Sequence, residues 1–132
     1  MISRRLTPIV LAAAMALATS VTATASADRV RLVNVNGYSV IDNQHLVLNG
    51  GVSRHYLVTL RNRCNAIRWG YRLATSFPST TTLHAPYSEY VYAEEGNYRC
   101  YIDTIEEVES LDEARALVEA RSEADAETSE SR

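Results

Sequence analysis

Two cysteines, Cys64 and Cys100, are the only ones in the chain, and whether they bond to each other decides how large a core the fold must build. That depends on compartment, because disulfides persist in oxidising surroundings and are rare in the cytosol. The N-terminus speaks to the compartment. Arg4 and Arg5 make a positive start, Ile9 to Ala18 is an apolar stretch, and Ala25-Ser26-Ala27 has the small-x-small pattern that signal peptidase accepts. Thr19, Ser20, Thr22 and Thr24 interrupt the apolar run, which falls short of the roughly 20 apolar residues that a membrane span needs. Residues 1–27 are therefore expected to be a cleaved signal peptide, with the ordinary secretory route delivering a periplasmic or secreted protein without a membrane span. The residue directly after the cleavage point is Asp28 and not a cysteine, which argues against a lipid anchor.

In that compartment Cys64 and Cys100 are expected to form one structural disulfide. It would close a loop of about 36 residues, worth about 3–4 kcal/mol in the chain-entropy account. Three rivals stand beside it. A zinc site or a redox pair calls for close spacing such as C-x-x-C, which neither cysteine has. A catalytic thiol served by His45, His55 or His84 has no local signature.

The remaining residues, 28–132, suffice for one modest core, in the size range where a covalent staple helps. Every basic residue is Arg and none is Lys, which removes Schiff-base, Lys general-base and P-loop chemistry. Charge is unevenly distributed. Residues 28–102 hold eight Arg and five acids, whereas 103–132 hold three Arg and eleven acids. An acidic end of that strength repels phosphate, so nucleic acid is not an expected partner.

Periodicity reads as mainly antiparallel β. Val30 to Val35 runs into Asn36-Gly37, a strong hairpin signal, with Tyr38 to Ile41 as the returning strand. Asp42-Asn43 turns the chain into His45–Leu48, and Asn49-Gly50-Gly51 turns it again into Arg54–Leu60. There Tyr56, Val58 and Leu60 share one face by period two. Cys64, Ile67, Tyr71 and Ala74 then fall at helical spacing, predicting two or three turns at most, since Gly70 lies within. A second hairpin joins Glu89–Ala93 to Asn97–Ile102. With Glu95-Gly96 at its tip, cross-strand partners are Tyr90 with Tyr101, Val91 with Cys100, Tyr92 with Arg99 and Ala93 with Tyr98. The cysteine, Tyr98 and the aliphatic residues then face the core. Ser110 and Glu113 form a capping box for a helix over 111–121, whose stripe is Leu111, Ala114, Leu117 and Val118. Residues 122–132 lack periodicity and are expected to be a disordered acidic tail. The fold class is thus α+β: a β-meander over 28–110 stapled by the disulfide, a short helix after Cys64 and a C-terminal helix.

Several segments together resemble a known family. They are Tyr56-Leu57-Val58-Thr59-Leu60, Cys64 with Ile67, Cys100-Tyr101-Ile102 with Ile105, and Tyr38 through Ile41-Asp42-Asn43-Gln44-His45. The chain resembles, over roughly residues 30–108, small exported proteobacterial proteins of domain-of-unknown-function family 6491. The resemblance implies an extracytoplasmic disulfide-bearing domain and assigns no residue a catalytic role.

Site readings follow from residue type. His45, His55 and His84 match no compact metal motif, and no metal or cofactor is expected. Gly50-Gly51-Val52-Ser53 is not a nucleophile elbow, and neither Asp42 with Asp103 nor Glu94 with Glu95 has a setting that would split their pKa values. Arg54, Arg61, Arg63, Arg68 and Arg72 form a candidate anion patch, with the acidic segment from Asp103 as an intramolecular counterion. Tyr90, Tyr92, Arg99 and Tyr101 form a candidate binding surface, with Arg99 expected to stack on Tyr92. The expected role is a non-enzymatic binding or envelope-associated module, with an envelope protein or polymer as partner. The rivals are an inhibitor of an envelope enzyme, and a small hydrolase or metal-binding protein.

Overall fold

Leu46, Val47 and Leu48 are consecutive in sequence and all buried, as are Tyr56, Leu57 and Val58. Successive strand residues point to opposite faces, so both strands must be covered on both sides. The computed structural model describes residues 28–68, 72–95 and 98–130 and shows how this is done. The expected signal peptide, residues 1–27, lies outside the described residues.

Eight strands are present among the described residues: β1 (Arg29–Leu32), β2 (Val35–Val40), β3 (His45–Gly50), β4 (Arg54–Leu60), β5 (Leu73–Thr75), β6 (Thr81–His84), β7 (Tyr90–Ala93) and β8 (Arg99–Val108). Six form an antiparallel sheet in the order β2-β3-β4-β8-β7-β5. The sheet curls into a half-barrel, so that its two edge strands line opposite sides of one cleft of about 300 Å³. Leu46, Leu48, Tyr56, Val58, Leu60, Val91, Ile102 and Ile105 fill the concave side. The separate β1–β6 ribbon adds Val30, Leu32 and Leu83 to the same core. The α+β meander expected from the sequence is the observed architecture.

The helix α1 (Leu111–Glu130) lies on the convex side. Ala114 and Val118 pack there on Val47, Leu57 and Val108, with Leu111 and Leu117 alongside. The cap forms as expected: the Glu113 N–H donates to Ser110 Oγ at 3.1 Å. The Glu113 carboxylate reaches back to the Glu109 N–H at 2.6 Å, one residue before the cap. An Arg121–Glu106 ion pair at 2.8 Å ties the helix to β8.

Three expectations need correction. Asn36-Gly37 is not a hairpin tip: β2 runs through it with an irregular register, and the chain turns at Val33-Asn34, where Asn34 takes φ 54°. The N-terminal strand pairs with β6 instead of its neighbour. Long-range pairing overrides the local turn preference, and Gly50 permits it, because a Cβ there would collide with the Val33 carbonyl oxygen. The helix after Cys64 shrinks to one 3-10 turn, Asn65–Arg68; Ala74 lies in β5, and Tyr71 is outside the described residues. The tail from Ser122 to Glu130 is helical, not disordered. Alanine and glutamate extend a nucleated helix at little cost, although residues 119–128 are all exposed.

β8 carries an irregularity that matters below. Leu60 pairs with Ile102 and Thr59 with Thr104, which leaves Asp103 as an extra residue. Before it, Cys100 and Ile102 face the core; after it, Ile105 does. Such a bulge shifts the alternation of faces by one residue.

Candidate functional site

The expected hairpin register is observed: Tyr90 pairs with Tyr101, Val91 with Cys100 and Tyr92 with Arg99. Val91 and Cys100 are buried, so the partners on the other face are Tyr90, Tyr92, Arg99 and Tyr101, all partly or well exposed. The rings contact one another. Tyr90 and Tyr101 meet edge to face with centroids 5.5 Å apart, and Tyr92 lies 5.9 Å from Tyr90. Arg99 sits 4.8 Å over Tyr90 and not, as expected, over Tyr92. Tyr90 lies diagonal to Arg99, and diagonal neighbours are within reach of long side chains. Arg61 lies 6.0 Å over Tyr101 from the far side. Tyr98 also departs from expectation: it precedes β8 and is 76% exposed, off the core side altogether.

The five arginines do not form one patch. Arg54 and Arg61 flank opposite ends of β4, a span of roughly 20 Å at 3.3 Å per residue. The Arg61 guanidinium is already engaged, donating from Nε to the Ile102 carbonyl at 3.3 Å and from Nη2 to the Tyr87 carbonyl. It clamps the β4 exit to β8. Arg68 ends the 3-10 turn and Arg72 precedes β5, both exposed. Ion pairs among the described residues join Asp42 to His45 and Glu106 to Arg121, and involve none of the five. Within the acidic segment Glu106 therefore pairs with Arg121 of the helix and not with any of the five expected arginines.

Cys64 and Cys100 are disulfide-bonded with Cα atoms 6.0 Å apart, inside the normal range. Both are nearly buried. The bond fastens the loop after β4 to the start of β8, and the Cys64 N–H donates to the Asn43 carbonyl at 2.6 Å. Beside it opens a cleft of about 490 Å³, lined by Asn62, Arg63, Asn65, Tyr98, Arg99 and Tyr101 with both cysteines. Sequence reasoning missed this cleft, since its two walls are 36 residues apart and come together through the β4–β8 pairing and the staple.

A second groove, about 640 Å³, runs between the 42–45 turn and α1, and Asp42, His45, Arg63, Arg115 and Glu119 are among its lining residues. Asp42 Oδ1 accepts from the Gln44 and His45 N–H groups at 2.8 Å each, and the His45 Nδ1 lies 2.8 Å away. Partial burial works to raise the Asp42 pKa, but the Gln44 and His45 hydrogen bonds and the nearby His45 charge outweigh it and hold the carboxyl below its ordinary value. The pair closes an Asx turn, which accounts for both residues by local structure. His45 and His55 stand at opposite ends of the β3–β4 hairpin, His55 against Asn49 Oδ1 at 3.1 Å, and His84 is on β6. Asp103 is exposed at the bulge, and Glu94 and Glu95 are exposed after β7. Among the described residues no three His, Cys, Asp or Glu side chains gather as a metal site, and no helix is long and apolar enough to cross a membrane.

No curated protein and no solved structure matches the chain. A family profile does, over residues 1–125, spanning the half-barrel, the staple and most of α1. The chain belongs to the family of unknown function DUF6491.

Proposed function

We propose that this protein is an exported, non-enzymatic binding module, acting in the periplasm or outside the cell, whose partner surface is the convex side of β7 and the start of β8. One observation carries the reading. The helix covers the convex side over β3, β4 and the end of β8 with aliphatic packing, yet on the same sheet it leaves Arg99 and Tyr101 exposed and Tyr90 and Tyr92 half-buried. Tyr and Arg dominate interaction hot spots because they combine apolar area with directional hydrogen bonds. Ring–ring and cation–ring contacts pre-order this cluster, which lowers the entropy lost when a partner docks. Export is supported by the leader pattern at 1–27 and by a disulfide of the kind oxidising compartments favour.

A photo-crosslinking residue at position 92 tests the surface in the producing cell, with position 52, 96% exposed at the β3–β4 turn, as control. A discrete adduct from position 92, absent from position 52 and lost on Tyr90→Ala, supports the reading. The same adducts from both positions, or none from 92, would make the cluster purely structural. Mass spectrometry of the same protein should find Asp28 as its first residue.

A further inference from the structure

We infer that the cleft beside the Cys64–Cys100 staple binds an anionic saccharide unit, a sugar ring carrying a carboxylate or a phosphate. The inference rests on the binding-module reading, because Arg99 and Tyr101 belong to both the cleft and the convex face.

Charge sets the first half of the argument. Arg63 and Arg99 line the cleft from the two chain segments that the disulfide joins, and no acidic residue lines it; the Arg99 guanidinium lies 4.8 Å over Tyr90, at the seam of the cleft and the convex face. Among the described residues neither arginine pairs with a carboxylate. That separates them from Arg61, whose donors are spent on two carbonyls. A free guanidinium offers a planar fork that matches a carboxylate or phosphate in two parallel hydrogen bonds. The volume, about 490 Å³, is within the range of small-molecule sites.

The remaining lining selects a sugar over a bare anion. Tyr98 is 76% exposed and Tyr101 41%, so neither ring is held out there by core packing. Both line the cleft, where the C–H face of a pyranose can lie on an aromatic ring. Asn62 and Asn65 bring carboxamides, which both donate and accept and so suit hydroxyl groups. An inorganic anion would leave the rings and carboxamides unused, and a neutral sugar would leave both arginines without an anionic partner.

Titration calorimetry on the oxidised protein, with glucuronate and glucose 6-phosphate as probes, tests this. Glucose is the uncharged control and inorganic phosphate the control without a ring. Each anionic sugar should bind, and both controls should be weaker by about tenfold or more, glucose for want of a charge-assisted hydrogen bond and phosphate for want of the ring and carboxamide contacts. Arg63→Ala should weaken both probes by a similar factor, and Tyr98→Ala should weaken the sugars while leaving phosphate unchanged. No binding of either probe, glucose or phosphate matching them, unchanged affinity in Arg63→Ala, or tighter binding of a glutamate peptide would each overturn the inference. Arg63 lies off the convex face and Tyr92 off the cleft. Arg63→Ala should therefore keep the position-92 adduct, and the position-92 variant itself, which replaces Tyr92 and retains Tyr90, Arg99 and Tyr101, should keep the sugar affinity. Sugar binding that fails while the adduct survives sinks this inference alone; loss of the adduct with sugar binding intact sinks only the convex-face reading.

Discussion

The convex side of the sheet is two surfaces on one scaffold. Under α1 it is dry: Val47 and Leu57 are fully buried and Val108 nearly so. At the other end of the same strand β8, Arg99 and Tyr101 stand in solvent with Tyr90 and Tyr92 beside them. The first region obeys the ordinary rule that apolar area drives packing; the second keeps large rings where packing does not require them. On the proposed reading, stability and recognition fall at different ends of one strand.

Substitutions can break that contrast. Leu57→Ala should cost about 3 kcal/mol in urea unfolding, from lost transfer energy and a residual cavity under α1. Tyr92→Ala, on the same sheet side, should cost about 1 kcal/mol or less, the size of a cross-strand pair. Equal costs would mean that the tyrosines are core and that the two regions are one.

The helix permits the same comparison along its own length. Ser110→Ala removes the cap bond and should cost about 1 kcal/mol. Truncation before Glu123 removes exposed turns and should shift stability by less than about 0.5 kcal/mol. A larger loss on truncation would show that the helix end docks.

The smallest effect concerns pH. Asp42 has its pKa lowered on folding, so its contribution is present above the unfolded value and fades as pH falls through the folded one. Stability of the native protein should therefore dip in acid more than that of Asp42→Asn. Because this carboxylate is 43% exposed, the difference should be slight. Parallel acid profiles would remove the turn from the account.

Legibility tracked how local each determinant is. The β7–β8 register followed from one turn and from the need to bury Val91 and Cys100, and it held from Tyr90 to Tyr92, failing only where Tyr98 precedes the strand. Ser110 and Glu113 announced the start of α1, a short-range signal of the same kind. Asn36-Gly37 misled because β1 finds a better partner in β6, about 50 residues away, and nothing near Gly37 encodes that. The end of α1 was missed because apolar spacing reports burial, whereas its last turns rest on intrinsic helix preference. Arginine spacing said nothing about a patch, since Arg61 turns inward to carbonyls and Arg54 leaves at the other end of β4. The cleft needed both walls, and neither wall has a recognisable motif.

The extra residue at Asp103 has a consequence for how this chain tolerates change. Upstream of it even-numbered residues of β8 point inward, and downstream odd-numbered ones do, so the strand is read in two frames joined at a single splice. Excising Asp103 would join Ile102 directly to Thr104, the partners of the adjacent residues Leu60 and Thr59, and plain alternation would then run through the strand. Cys100 would stay inward toward Cys64, and Val108 would stay under α1. A deletion one residue long, at an exposed position with no side-chain role in the core, would thus mend the reading frame of the strand instead of breaking it.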